Sequence, residues 1–83
     1  MSMPVMPIAR NGGCPSGYSQ QGNMCVPGPN AKAAIARDGG CPSGYSQQGN
    51  YCVANSSNAK VVIPRVGSCP SGYSQQGNYC VQN

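Results

Sequence analysis

Cysteine is the residue type in this chain that is best suited to chemistry. Cys14 and Cys25 form a pair with a spacing that recurs along the sequence, so that the six cysteines are Cys14, Cys25, Cys41, Cys52, Cys69 and Cys80. The chain has no histidine and no glutamate, and Asp38 is its single acid. Because general bases, activated nucleophiles and most metal sites need those missing residue types, we expect no enzyme activity, no catalytic residue, no metal site and no cofactor.

Disulfide bonds are the chemistry that the cysteines favour. Six cysteines allow 15 pairings, but pairing Cys14–Cys25, Cys41–Cys52 and Cys69–Cys80 gives three near-identical segments the same arrangement. In the chain-entropy model, one bond closing a loop of about 12 residues stabilises the fold by about 3 kcal/mol. Reduced thiols in a cytosolic chain are the alternative. Zinc is less favoured, because the sequence has neither a Cys-x-x-Cys pair nor a histidine.

The cysteine pairs lie in a segment that occurs three times. Residues 14–25 read CPSGYSQQGNMC, and residues 41–52 and 69–80 both read CPSGYSQQGNYC. An upstream arm precedes each copy and carries Ile-Ala-Arg or Ile-Pro-Arg at a constant distance from the first cysteine. The chain therefore divides into unit 1 (1–29), unit 2 (30–57) and unit 3 (58–83), each with an arm and a Cys-bounded knuckle.

The knuckle sequence predicts a β-hairpin. Residues 14–17 suit a β-turn, and residues 20–22 suit a three-residue hairpin loop with Gly22 in the left-handed conformation. This register places a tyrosine opposite the residue that precedes the second cysteine, giving the cross-strand pairs Tyr18 with Met24, Tyr45 with Tyr51 and Tyr73 with Tyr79.

The arms are predicted to be extended. Pro7 and Pro64 would break a helix in the first and third arms, and residues 61–63 are β-branched. The alanine-rich second arm leaves a short helix over residues 31–37 as the alternative.

Composition limits how much core the chain can form. Its 83 residues include no Leu, Phe or Trp, but 12 Gly and 8 Pro, so disulfides must replace a sizeable core. We expect a small disulfide-rich, all-β or irregular fold in which three disulfide-closed hairpin knuckles are joined by extended arms with little central core. Fully extended, residues 26–40 and 53–68 would each span at most about 50 Å, placing contacts about 100 Å apart.

The net charge of +4 comes mainly from the arms. The basic residues recur at fixed repeat positions, which indicates either a stripe that meets an acidic protein surface or simple solubility. Nucleic-acid binding is not expected, because the tyrosines lie in the knuckles and the charges in the arms. The predicted partner-binding residues of the arms are Ile8, Arg10, Lys32, Ile35, Arg37, Lys60, Ile63 and Arg65.

The CPSGY…GNYC unit, with its Ile-Pro-Arg-like arms, resembles the tandem Cys-bounded repeats of small proteins from cyanobacteria and their phages. The resemblance covers nearly the whole chain, and it implies a structural protein that is extracellular or associated with a particle.

Location and function are inferred from the disulfides. Disulfides indicate an oxidising environment, yet residues 1–10 do not read as a signal peptide and no segment suits a membrane span. A phage virion component, made in the host cytoplasm and released by lysis, fits both observations. We expect an accessory capsid protein of the cement or decoration type that contacts the major capsid protein or another virion subunit through multivalent contacts, and neither nucleic acid nor membrane. A secreted or surface glycan-binding module and a self-assembling fibre are the alternatives.

Overall fold

The computed structural model describes residues 3–83, and within this range the chain is all-β. No helix there could cross a membrane. The strands of unit 1 are β1 (Ile8–Ala9), β2 (Tyr18–Gln21) and β3 (Met24–Pro27). Those of unit 2 are β4 (Ala34–Ala36), β5 (Tyr45–Gln48) and β6 (Tyr51–Ala54). Those of unit 3 are β7 (Val62–Pro64), β8 (Tyr73–Gln76) and β9 (Tyr79–Gln82).

Each unit forms one antiparallel sheet of three strands. The second strand of the hairpin is central, so the sheet orders are β1-β3-β2, β4-β6-β5 and β7-β9-β8. The arm isoleucine pairs with the second cysteine in every unit, as in Ile35 with Cys52. The prediction of extended arms is therefore confirmed, and residues 31–37 contain strand β4 rather than the alternative helix.

All three predicted disulfides are present. Cys14–Cys25, Cys41–Cys52 and Cys69–Cys80 each have a Cα–Cα distance of 5.6 Å. No cysteine in the described part of the chain is free. The predicted small, disulfide-rich, all-β fold is confirmed, because each unit has one disulfide and one three-stranded sheet.

The hairpin loop is shorter than predicted. Gln21 pairs with Met24, which leaves Gly22 and Asn23 as a two-residue loop, and Gly22 has φ +60° at the first central position. Such a loop matches the twist of the flanking strands. The predicted tyrosine pairs are consequently wrong: Tyr18 lies opposite Pro27, and the other first-strand tyrosines lie opposite Ala54 and Gln82.

The turn after the first cysteine is also displaced by one residue. The Tyr18 N–H donates to the Pro15 carbonyl oxygen at 3.1 Å, and Gly17 has φ +86° at the third position. A positive φ at that position is typical of a type II turn, in which glycine avoids the strain that a side chain would meet. The turn therefore spans residues 15–18 rather than 14–17.

The molecule is far shorter than the predicted reach of about 100 Å. Its principal extents are 34 × 23 × 17 Å, with a Cα radius of gyration of 12.2 Å. The arms do not span between distant points, because each pairs with the hairpin of its own unit. A small core includes Ile35, Tyr45, Val62 and Val81, and Met3 packs against it. The Met3 N–H also donates to the Ala59 carbonyl oxygen at 2.9 Å.

Candidate functional site

Two equivalent junctions join the three units. In the first, the hairpin of unit 2 contacts the arm and turn of unit 1, and in the second the hairpin of unit 3 contacts unit 2. Tyr51 and Tyr79 are the central residues, and each is only 3% exposed. Both directly follow the two-residue hairpin loop, so the loop geometry places them at the boundary of their unit.

The Tyr51 hydroxyl is bonded to the backbone of unit 1. It accepts a hydrogen bond from the Asn11 N–H at 2.5 Å. Its own proton can be donated to the carbonyl oxygen of Ala9 at 3.0 Å or of Gly13 at 2.9 Å. The hydroxyl also lies 3.7 Å from Cys25 Sγ. A buried hydroxyl is thereby satisfied, and it covers the disulfide of the preceding unit.

Two amide side chains complete the first junction. Gln48 Oε1 accepts a hydrogen bond from the Ser16 N–H at 3.0 Å, and Asn50 Nδ2 donates to the Asn11 carbonyl oxygen at 3.1 Å. Between them lies an open cleft of about 300 Å³ that also exposes part of Cys14. Each contact joins a side chain of unit 2 to a backbone group of unit 1.

The second junction repeats these contacts. The Tyr79 hydroxyl accepts from the Asp38 N–H at 2.5 Å and donates to the Ala36 carbonyl oxygen at 2.9 Å. Gln76 accepts from the Ser43 N–H at 3.0 Å, and Asn78 donates to the Asp38 carbonyl oxygen at 3.1 Å. The units therefore stack in one direction by a single repeated rule, as in other repeat architectures.

A second set of tyrosines binds the following unit. The Tyr18 hydroxyl donates to the Lys32 carbonyl oxygen at 2.8 Å, and the Tyr45 hydroxyl donates to that of Lys60 at 2.7 Å. Burial raises the pKa of both hydroxyls above the usual value of 10.0. Tyr73 is the equivalent residue of unit 3, and its hydroxyl has no hydrogen bond within residues 3–83.

The arginines predicted to contact a partner are bound within their own units. Arg10 Nε donates to the Gly22 carbonyl oxygen and a terminal nitrogen of its guanidinium donates to that of Gly12, both at 3.2 Å. Arg37 and Arg65 repeat these two bonds at distances from 2.7 to 3.1 Å. The guanidinium groups thus attach each arm to its hairpin loop, which explains their constant repeat position.

The other predicted partner residues lie in different environments. Ile35 is buried in the core, whereas Ile8 and Ile63 are half-buried. Lys32 Nζ donates to the Asn55 carbonyl oxygen at 3.2 Å, and Lys60 is exposed. Of the eight predicted residues, Ile35 is therefore buried, whereas Lys32 and Lys60 are exposed.

In each sheet, the first strand of the hairpin (β2, β5 or β8) is an outer strand, and its outward backbone edge is open. The Gly28 N–H donates to the Gly17 carbonyl oxygen, and equivalent bonds occur in units 2 and 3. Hydrogen-bonded and non-hydrogen-bonded pairs alternate along an antiparallel ladder, so the pair of Gln20 with Cys25 is non-hydrogen-bonded. The backbone N–H and C=O of Gln20 consequently point outward. We call the outward backbone groups of Gln20, Gln47 and Gln75 the open edges.

The junctions were not predicted from the sequence. The available signal was the residue that precedes the second cysteine, which is Met24 in unit 1 and tyrosine in the other two units. Met24 is 40% exposed, whereas Tyr51 and Tyr79, which contact the unit before them, are each 3% exposed. Within residues 3–83, no His, Cys, Asp or Glu side chains group into a metal site.

Comparison with known proteins finds no matching family model, no matching curated protein and no matching solved structure.

Proposed function

We propose that the protein is a structural protein that binds protein subunits of a larger particle, and that this particle is a phage virion. The observation that carries the proposal is the set of three open edges, which are chemically identical and lie on one stack of units. An exposed edge can accept a strand from another chain through backbone hydrogen bonds. Three such contacts on one body strengthen one another through effective concentration.

The compact shape refines the role expected from the sequence. A body with a longest extent of 34 Å is suited to decorating one subunit or the seam between two adjacent subunits. It is not suited to linking sites about 100 Å apart. The proposed role is therefore that of an accessory capsid protein that sits on the particle surface, with the major capsid protein or another virion subunit as its partner.

Three disulfides support a working environment outside the reducing cytosol. A virion protein meets such an environment after lysis. The absence of histidine and glutamate from the sequence supports a non-enzymatic role, because the usual general bases are missing. We propose neither a nucleic-acid nor a membrane partner, since the arginines are already bonded to backbone carbonyl oxygens.

An antiserum raised against the oxidised protein provides the first test. We expect immunogold labelling of purified particles from a lysate of the source culture, at regular positions on the capsid. Labelling of cell surfaces without labelling of particles would overturn the proposal. Binding of the oxidised protein to defined sugars on a glycan array would favour the glycan-binding alternative.

Variants at the open edges test the contact itself. Gln20→Pro, Gln47→Pro and Gln75→Pro each remove one outward N–H without removing a hydrogen bond of the ladder, which an edge strand tolerates. The matched controls Gln20→Ala, Gln47→Ala and Gln75→Ala keep the N–H. We expect the triple proline variant to be lost from particles on washing and the triple alanine variant to be retained. Equal retention of two correctly oxidised variants would exclude strand addition at these edges.

A further inference from the structure

The two ends of the stack carry complementary halves of the junction. Each internal junction joins a hairpin face to a turn face. A hairpin face consists of the glutamine, asparagine and tyrosine around the loop, as in Gln48, Asn50 and Tyr51. A turn face consists of the backbone groups and the proline of the preceding unit. Within residues 3–83, the hairpin face of unit 1 and the turn face of unit 3 have no counterpart.

The turn face of unit 3 is exposed where its equivalents are covered. Pro15 and Pro42 are buried beneath the next unit, whereas Pro70 is exposed. Val66 occupies the position of Asn11 and Asp38, and it is 88% exposed, the most exposed of the large apolar residues in the described range. Gly67 keeps the positive φ of its equivalents, at +76° against +82° for Gly39. Val66 and Ser68 do not form the β-bridge that joins Asn11 to Gly13 and Asp38 to Gly40.

The hairpin face of unit 1 retains two of the three junction side chains. Gln21 and Asn23 are identical to their equivalents in units 2 and 3. Met24 replaces the tyrosine, and it is 40% exposed where Tyr51 is 3% exposed. The hairpin face of unit 1 has therefore exchanged a hydrogen-bonding tyrosine for an exposed methionine. The turn face of unit 3 carries an exposed valine where Asn11 and Asp38 contribute only backbone groups, which valine also has.

We propose that two copies of this chain associate head to tail, with the hairpin face of unit 1 of one copy on the turn face of unit 3 of the next. Gln21 would accept a hydrogen bond from the Ser71 N–H, and Asn23 would donate to the Val66 carbonyl oxygen, as their equivalents do inside the chain. Met24 would cover Val66 and Pro70 by apolar contact. This assignment rests on continuity with the two internal junctions and is independent of the proposed function.

The substitution of methionine for tyrosine makes this contact weaker than the internal junctions. Met24 has no hydroxyl with which to bond the backbone around Val66. A contact that is heterologous and does not close on itself propagates as an open chain of copies. The association is therefore expected to depend strongly on concentration and to yield short linear oligomers.

Sedimentation velocity of the oxidised protein across a concentration series tests the proposal. We expect wild type to associate weakly and Met24→Tyr to associate at least about tenfold more tightly, because the new hydroxyl restores the hydrogen bonds made by Tyr51 and Tyr79. Ser71→Pro should abolish the association of both. Proline suits the second position of this turn, so the turn is kept while the N–H is removed.

Matched variants distinguish the hairpin face from the rest of the same strand. Gln21→Ala removes a proposed contact and should weaken association, whereas Gln20→Ala, on the open edge, should not change it. Disulfide mapping and circular dichroism establish that every variant is folded. The proposal is overturned if folded Met24→Tyr stays monomeric at the highest concentration, or if Ser71→Pro and Gln21→Ala associate as strongly as their parents.

Discussion

The hydroxyl oxygen of Tyr51 lies 2.5 Å from the backbone nitrogen of Asn11, although 40 positions separate the two residues in the chain. The same relationship joins Tyr79 to Asp38. Each tyrosine thus couples two units that are otherwise closed by their own disulfides and sheets. The free energy of unfolding of such a stack is approximately the sum of the intrinsic stability of each unit and the energy of each interface between neighbouring units.

Removal of the junction hydroxyl should weaken the stack. Tyr51→Phe removes the part-buried hydrogen bond between the Asn11 N–H and the tyrosine hydroxyl, which costs about 0.5–1.5 kcal/mol. We expect a lower urea midpoint, measured by circular dichroism, and a similar loss for Tyr79→Phe. Tyr73→Phe is the control, because the Tyr73 hydroxyl has no hydrogen bond in the part of the chain that the structure describes. An equal midpoint for all three variants would show that the hydroxyls do not couple the units.

Complete reduction should unfold the isolated protein at room temperature. Each disulfide contributes about 3 kcal/mol, and the apolar core is too small to replace three of them. The far-ultraviolet circular dichroism spectrum should lose its strand signal in excess reductant. A reduced and alkylated protein that kept its native spectrum would contradict this expectation.

The disulfides should be reduced in a defined order. The junction tyrosines cover the sulfurs of Cys25 and Cys52, at 3.7 and 3.8 Å. Within residues 3–83, no tyrosine hydroxyl lies near Cys80 in the same way. Pro70, which follows the disulfide partner Cys69, is exposed. We expect Cys69–Cys80 to be alkylated first when limited reductant is followed by peptide mass spectrometry. Simultaneous reduction of all three bonds would mean that the junctions give no protection.

Substitution in the arms should affect folding according to burial. Ile35→Asp places a carboxylate in the core. The loss of apolar burial alone costs about 2 kcal/mol, and burial of the carboxylate adds to that cost. Ile8→Asp and Ile63→Asp change half-buried positions and should be milder. Urea unfolding of the three oxidised variants measures the difference. Equal destabilisation of the three variants would show that the burial of the isoleucine does not determine how much the substitution destabilises the fold.

Alkaline pH should destabilise the fold through Tyr18 and Tyr45. Burial raises the pKa of both hydroxyls in the folded protein above the unfolded value of 10.0. The folded state therefore holds these protons more tightly, so their contribution is complete below pH 10.0 and is lost as the pH rises through the raised pKa. The urea midpoint should fall as the pH rises across this range, and Tyr45→Phe should make the midpoint depend less steeply on pH. If the midpoint of Tyr45→Phe depended on pH as steeply as that of wild type, Tyr45 would be excluded as a source of the pH dependence.

The disulfide pairing and the extended arms could be predicted from the sequence because both follow from the close repetition of the three units. Three near-identical segments such as residues 41–52 are most simply closed in the same way, and Pro64 excludes a helix from one of three equivalent arms. Loop register was predicted less well. Residues 20–22 and residues 22–23 are both reasonable hairpin loops, and only the pairing of Gln21 with Met24 decides between them.

The contacts between units could not be derived from local patterns. Tyr51 and Tyr79 are suited equally to a cross-strand pair within one hairpin and to a contact with the preceding unit. The choice depends on where the arm carbonyl groups of Ala9 and Ala36 lie in space. Arg10 likewise reads as a surface charge until its bond to the Gly22 carbonyl oxygen is seen.

The tyrosine junction also affects how such a gene can change in length. Because the Tyr79 hydroxyl is bonded to the backbone of the unit before it, an in-frame duplication of unit 2 would create a new tyrosine junction and leave the existing ones intact. Near-identical repeats are also prone to unequal recombination, which adds or removes whole copies. The number of units is therefore a quantity that selection can adjust in single steps, without redesign of any sheet.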